Sequence, residues 1–262
     1  MYERSKHMFQ QNVLADRLLF LAAVTKQATL RLDNPGGIFP RPVGFRLVAS
    51  LGTNDYPFIG YIIESDSEII IAFRGTRTRG EFLIDLEYIQ SRFPYVPDSG
   101  LVNRGFLTVY TAIREQLFMT LNRLSNGKTL FITGHSLGGA LAALAALDIK
   151  TNAEFNSPIV FTYASPRVGN PRFAAIYNSN MIDTIRVFNT ADIIPDLPRE
   201  RLGTIQYRHV GRPFPIHFEN FSVSRNHQIY EYLSELSRLF PIEWCEFCRV
   251  NDNLCAGLEC IR

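Results

Sequence analysis

Glycines stand two residues to either side of a serine in Gly134-His135-Ser136-Leu137-Gly138. Glycine at both places removes the side chains that would clash in a tight turn from a strand into a helix. Such a turn lifts the hydroxyl clear of the sheet and sets it beside a helix N-terminus, whose N–H groups favour developing negative charge. Both flanks have the form this needs: a short apolar run over 129–133, and an alanine-rich helical stretch over 138–150. A chance glycine-rich turn is the plain alternative, and it requires neither flank. Ser136 is therefore the candidate nucleophile, and the chemistry it offers is acyl transfer. His135, adjacent to it, points elsewhere by position and is expected to be a packed structural histidine.

A serine hydroxyl attacks poorly unless a histidine takes its proton, and that imidazole needs a carboxylate to fix its tautomer. When such a serine stands on a strand-to-helix elbow, acid and base follow it in the order carboxylate, then histidine. The histidines downstream are His209, His217 and His227, and the carboxylates at strand ends are Asp183, Asp192 and Asp196. Asp192 follows the strand expected at 184–188 through Asn189-Thr190-Ala191, the loop position suited to the acid. Asp183 precedes that strand, at the wrong end of a sheet, and Asp196 reads as solvated. His227 comes just before the last clear helix, on a loop able to reach over the strand ends. His217 reads as a surface side chain, and His209 as a strand residue in a supporting position. The expected set is Ser136, Asp192 and His227.

The elements that must position these residues alternate along the chain. A helix over 13–31 ends before the breaker Asn34-Pro35-Gly36-Gly37. Strands are expected at 45–51, 58–63, 68–73, 129–133, 159–163 and 184–188, with another near 205–210. Helices are expected at 106–124, 138–150 and 228–239. This alternation predicts an α/β protein with a mainly parallel central sheet covered by helices on both faces, the α/β-hydrolase fold. Without an internal linker, residues 1–240 read as one domain, followed by a Cys-rich tail over 241–262.

That tail holds all four cysteines, Cys245, Cys248, Cys255 and Cys260. Their spacing admits a small metal knuckle, one or two local disulfides, or reduced thiols, with a structural role favoured over a redox one. They are the one metal candidate in the chain, and no organic cofactor is implied. A net charge of +2 with 20% charged residues argues against nucleic acid as a partner. No stretch reaches the roughly 20 apolar residues of a transmembrane helix. The N-terminal segment lacks the form of a signal peptide, so a soluble, cytoplasmic protein is expected.

With these segments in hand, the chain resembles the class 3 lipases, the family of the filamentous-fungal triacylglycerol lipases. The resemblance spans roughly 15–240 and rests on ordered blocks. They are Ile71-Ala72-Phe73-Arg74-Gly75-Thr76, the serine elbow through Ala140, 162–170, Asn189-Thr190-Ala191-Asp192-Ile193-Ile194-Pro195, and Asn226-His227-x-x-Tyr230. It implies an acyl-enzyme route on lipid esters, with Asp192 and His227 completing the triad of Ser136. It also implies an oxyanion hole from the backbone N–H groups of Thr76 and Leu137, with the Thr76 hydroxyl as a further donor. A lid is implied between Thr76 and Tyr95, where Phe82 and Leu83 would face a lipid–water interface when open. An ordinary surface helix accounts for that segment equally well. Arg74 and Arg167 read as loop braces. Two other readings stay open: a carboxylesterase for short or aromatic esters, of feruloyl-esterase type, and a non-catalytic lipase-like binding domain.

Overall fold

The computed structural model of the chain describes residues 2–33, 39–76, 88–180, 182–255 and 257–258. Seven strands form the central sheet: β1 (Arg46–Leu51), β2 (Gly60–Glu64), β3 (Glu68–Phe73), β6 (Thr129–His135), β7 (Ile159–Tyr163), β8 (Asp183–Asn189) and β11 (Arg212–Ile216). They lie side by side in that order. The first two junctions are antiparallel and the remaining four are parallel. Two short hairpins lie outside the sheet: β4 (Gln90–Arg92) with β5 (Leu101–Asn103), and β9 (Arg201–Leu202) with β10 (Ile205–Gln206).

One face of the sheet packs against α2 (Arg104–Leu121), α3 (Leu137–Asn152) and α4 (Pro171–Ser179). Helix α2 begins where the Asn103 side chain accepts from Phe106 N–H at 3.2 Å, an N-cap. Its residues Phe106, Val109, Tyr110, Ile113, Leu117 and Leu121 recur at helical spacing and are all buried. Helix α3 lies between α2 and the sheet, so it is buried all round from Leu137 to Ile149. Small alanine side chains are what let it fit there. The one charge inside, Asp148, is satisfied by Tyr110 Oη at 2.6 Å, Arg114 Nε at 2.6 Å and Asn152 Nδ2 at 2.8 Å.

The other face carries α1 (Tyr2–Asp33), α6 (Ile229–Leu239) and α7 (Pro241–Val250). From Leu18 to Ala28 helix α1 is buried almost without interruption except at Phe20. Polar contacts pin it to the sheet: Tyr61 Oη donates to Val24 O at 2.7 Å and Tyr163 Oη to Leu18 O at 2.6 Å. The Thr25 and Thr133 hydroxyls meet at 2.8 Å. No helix among the described residues is long and apolar enough to cross a membrane.

Two expectations are corrected. The strand expected near 205–210 is only the two-residue β10 of the outer hairpin, and the sheet continues instead at β11. Strand β11 was hidden by Pro213 and Pro215, which remove ladder donors. At the sheet edge, paired to β8 alone, it tolerates both prolines. Secondly, residues 241–255 of the expected Cys-rich tail pack onto the domain. Trp244, Leu254 and Cys255 are buried in the cluster around α1, and the short helix α8 (Asp252–Cys255) accepts from Lys26 Nζ at Leu254 O, 3.1 Å. Asn251 Oδ1 accepts from Val43 N–H at 2.8 Å. Cys248 and Cys255 form a disulfide, S–S 2.12 Å, and Cys245 is disulfide-bonded too. Cys260 lies outside the described residues. Disulfide sulfurs are not thiolates, so Cys245, Cys248 and Cys255 are neither metal ligands nor reduced thiols here. Among the described residues, no other group of His, Cys, Asp and Glu could hold a metal ion.

Candidate active site

Strand β6 leads directly into α3 through Ser136, which sits at φ 58° and ψ −125°. A positive φ costs a side-chain-bearing residue about 1–3 kcal/mol, so the surroundings must enforce it. Backbone packs closely around the elbow. A Cβ on Gly134 would lie 2.2 Å from Gly138 O, and one on Gly138 would lie 2.4 Å from Phe73 O. The two glycines therefore allow β3, β6 and α3 to close around the serine, while Ser136 N–H donates to Tyr163 O at 3.0 Å.

Asp192 and His227 come to this serine from far along the chain. Ser136 Oγ lies 2.8 Å from His227 Nε2, and His227 Nδ1 lies 2.7 Å from Asp192 Oδ2. A carboxylate can only accept, so Nδ1 carries the imidazole proton and bare Nε2 accepts from the serine hydroxyl. All three groups are buried, which excludes water from competing for these bonds. Asp192 Oδ1 accepts from Ile194 N–H at 3.0 Å, closing the loop after β8 onto its own carboxylate. The arrangement can pass the Ser136 proton to His227 as the oxygen becomes a nucleophile.

Two asparagines, present in the resembling blocks but given no role there, join the loops that carry acid and base. Asn226, next to His227, donates through Nδ2 to Ala191 O at 3.1 Å and to Glu219 at 2.8 Å. Its Oδ1 accepts from Asn220 N–H at 2.7 Å. Asn189 Oδ1 accepts from Ala191 N–H and from Phe218 N–H, each at 3.1 Å. The signals that could have found them were their place in those blocks and their closeness in sequence to a candidate residue.

Thr76 follows β3, and the loop before it runs against the elbow: a Cβ on Gly75 would be 3.4 Å from Ser136 Cβ. Arg74 braces that loop by donating to Phe58 O and, at 2.7 Å, to Gly75 O. Thr76 Oγ1 is buried and has no hydrogen-bond partner among the described residues, a costly state for a hydroxyl unless something else binds there. Leu137 is the first residue of α3, where helix N–H groups have no intrahelical acceptor. The expected lid residues Phe82 and Leu83 lie outside the described residues.

The other candidates are placed apart from this relay. Asp183 is exposed at the far end of β8, ion-paired to Arg212 at 2.8 Å. Asp196 is largely exposed and meets Arg167, which also donates to Asp196 O and to Pro198 O at 3.0 Å, bracing the loop beyond Asp192. His217 is exposed and bonded to the Thr190 hydroxyl at 2.6 Å. His209 lies outside any strand and donates to Pro195 O at 2.8 Å. His135 is buried beside His227, rings 4.7 Å apart, and donates from Nε2 to His227 O at 2.6 Å.

Burial, then the charge of neighbours, keeps these last two imidazoles neutral. His135 is pushed well below 6.5 by desolvation and by His227, and His209 falls to about 3 through desolvation, Arg186 and Arg167. Below pH 6.5 the unfolded chain therefore binds more protons than the folded one. Stability is full above that pH and is lost as pH falls, by up to about 1.4 kcal/mol per unit for each group. The thermal midpoint is expected to be level from pH 7 to 8 and to descend below about pH 6, with His209→Gln removing part of the descent. Equal slopes for wild type and variant between pH 6 and 4 would contradict this.

The chain and its fold are similar to those of known proteins. The sequence model of the family Lipase (class 3) matches residues 70–202, about half of the chain. A lipase of Rhizomucor miehei is 33% identical over 178 residues, covering 64% of this chain and 48% of that protein. The chain thus spans about half the length of that relative. The solved lipase of Rhizopus microsporus var. chinensis superposes with a TM-score of 0.69 at 23% identity, over 78% of this chain and 75% of that one. A solved triacylglycerol lipase with a serine-protease triad at its catalytic centre gives 0.68 at 26% identity, over 76% and 79%. The fold is that of the α/β hydrolases, and the match extends from β3 through the elbow to the loop bearing Asp192. This chain belongs to the class 3 lipase family.

Proposed function

We propose that the protein hydrolyses carboxylic esters of lipids through an acyl-enzyme on Ser136. The observation that carries this is the buried relay from Ser136 Oγ to His227 to Asp192, at 2.8 and 2.7 Å. His227 takes the serine proton as Oγ attacks the ester carbonyl, and Asp192 stabilises the imidazolium. The imidazolium then protonates the leaving alcohol. Water, deprotonated by the same imidazole, releases the acid and restores the serine. The lipid substrate is inferred from the relatives, a lipase and a triacylglycerol lipase, and would be met at a lipid–water interface. The Cys248–Cys255 bridge favours an oxidising compartment over the cytoplasm expected from the leader.

The oxyanion would be held by the N–H groups of Thr76 and Leu137 and by the Thr76 hydroxyl, which has no partner among the described residues. Thr76→Val keeps the shape and backbone while removing that hydroxyl. It is expected to lower kcat by about 100-fold with little change in KM, measured by steady-state kinetics. An unchanged kcat would remove the hydroxyl from the reaction.

The test of the function is hydrolysis of p-nitrophenyl esters from acetate to palmitate, with Ser136→Ala as background. Serine-dependent turnover that favours long chains supports the lipase reading. Preference for acetate would point to a short-ester carboxylesterase, and no turnover above background to a binding domain.

A further inference from the structure

Asp192 has a third partner. Tyr232, one turn into α6, places its hydroxyl 2.8 Å from Asp192 Oδ2, the oxygen that also accepts from His227. The same phenol oxygen accepts from Asn189 N–H at 2.9 Å. An N–H can only donate, so the single phenol proton is directed to the carboxylate. We propose that Tyr232 is a positioning residue for the reaction, donating to Asp192 Oδ2 and thereby moderating the grip of the carboxylate on His227. This rests on the ester-hydrolase reading of Ser136, Asp192 and His227.

The geometry gives the hydroxyl little freedom. The Tyr232 side chain is fully buried, and the Phe218 ring packs edge-on against it at 5.4 Å. Asn189 ends β8, three residues before Asp192, so the phenol is fixed to the strand that carries the acid. Helix α6 starts two residues after His227, so one element positions both the base and this donor. Burial, with the charge of Asp192 adding to it, pushes the phenol well above 10, and the group stays a donor throughout the working range. Among the described residues, the titratable groups around it are Asp192 and Arg186 from β8 and its loop, His135 at the end of β6, and His227 before α6.

Two donors on one carboxylate oxygen share its charge, so each bond is weaker than it would be alone. Removing the phenol proton should leave Asp192 a stronger acceptor for His227 Nδ1–H. It should then stabilise the imidazolium more, while the carboxylate itself, no longer tied to β8 through the phenol, holds the ring in place less firmly.

Tyr232→Phe is expected to lower kcat about three- to tenfold with KM unchanged, and to move the acidic limb of the kcat profile up by about half a pH unit. The downfield proton resonance of the His227–Asp192 bond, read on the resting protein without substrate, should move further downfield. Because phenylalanine also strands Asn189 N–H, 3,5-difluorotyrosine at 232 provides a second variant with a stronger donor, and both readouts should move the other way. Phe218→Leu, which loosens the packing but keeps the hydroxyl, should leave the limb and the resonance in place. If the limb and the resonance coincide with wild type in Tyr232→Phe and in the difluorotyrosine protein, the proposal fails. Shifts of equal size in Phe218→Leu would also overturn it, by assigning the effect to packing. Should wild type cleave no ester, the hydrolase reading fails by itself, while the resonance still reports on the Tyr232 bond.

Discussion

Alanine at His227 is expected to lower kcat for a cleavable ester by about a millionfold, and adding Ser136→Ala should cost almost nothing more. Among the described residues His227 is the only one whose side chain bonds to Ser136 Oγ, at 2.8 Å, and the pair is buried. Without the imidazole no base takes the serine proton, and no acid protonates the leaving alcohol. The serine is then as inert as an absent one. The non-additivity is the informative part, because groups acting as one unit are lost together. Residual turnover, about 10³–10⁴ over water, would come from substrate binding and the oxyanion donors. Single and double variants measured on the best p-nitrophenyl ester decide it. Losses that multiply would mean that the two residues act separately, and the relay would be wrong.

Asp192→Asn is expected to lower kcat by about 10⁴-fold while leaving the fold intact. The size follows from which oxygen faces which donor. Oδ1 accepts from Ile194 N–H at 3.0 Å, so the asparagine keeps its carbonyl oxygen there and turns its NH₂ toward the Oδ2 position. That amide now faces His227 Nδ1, which must shed its proton in order to accept. The proton moves to Nε2 and points at Ser136 Oγ, where a bare nitrogen is needed. The imidazole becomes a donor to the nucleophile instead of its base. Crystal structures of the two proteins should superpose, while kcat falls and KM changes little. A loss under tenfold would show that the carboxylate is dispensable, and with it the tautomer argument.

The serine was legible because its requirements are local. A strand, two glycines and a small-residue helix are neighbours in sequence, and the clashes at Gly134 and Gly138 involve backbone close along the chain or in the adjoining strand. Asp192 was legible for a similar reason, as the residue that a parallel strand delivers at its C-terminal end. The alternation of apolar runs and helical stripes determined the sheet and its two covered faces. Strand β11 was not legible, since two prolines read as a break and only its place at the edge, beside β8 alone, makes them tolerable. Residues 241–255 read as a tail because nothing local says that Trp244 has a partner. Its burial beside α1 depends on a helix more than 200 residues earlier.

The sequence by itself pointed to the candidate nucleophile and the layered architecture, through patterns that repeat within a few residues, and to the family, through its resemblance in ordered blocks. Only the tertiary structure decided which groups touch Asp192, which asparagines join the two loops, and that Cys248 bonds to Cys255. The physical reason is range. Steric and periodic preferences act between near neighbours, whereas a hydrogen bond such as that from Tyr232 to Asp192, across 40 residues, exists only once packing has brought its two ends together.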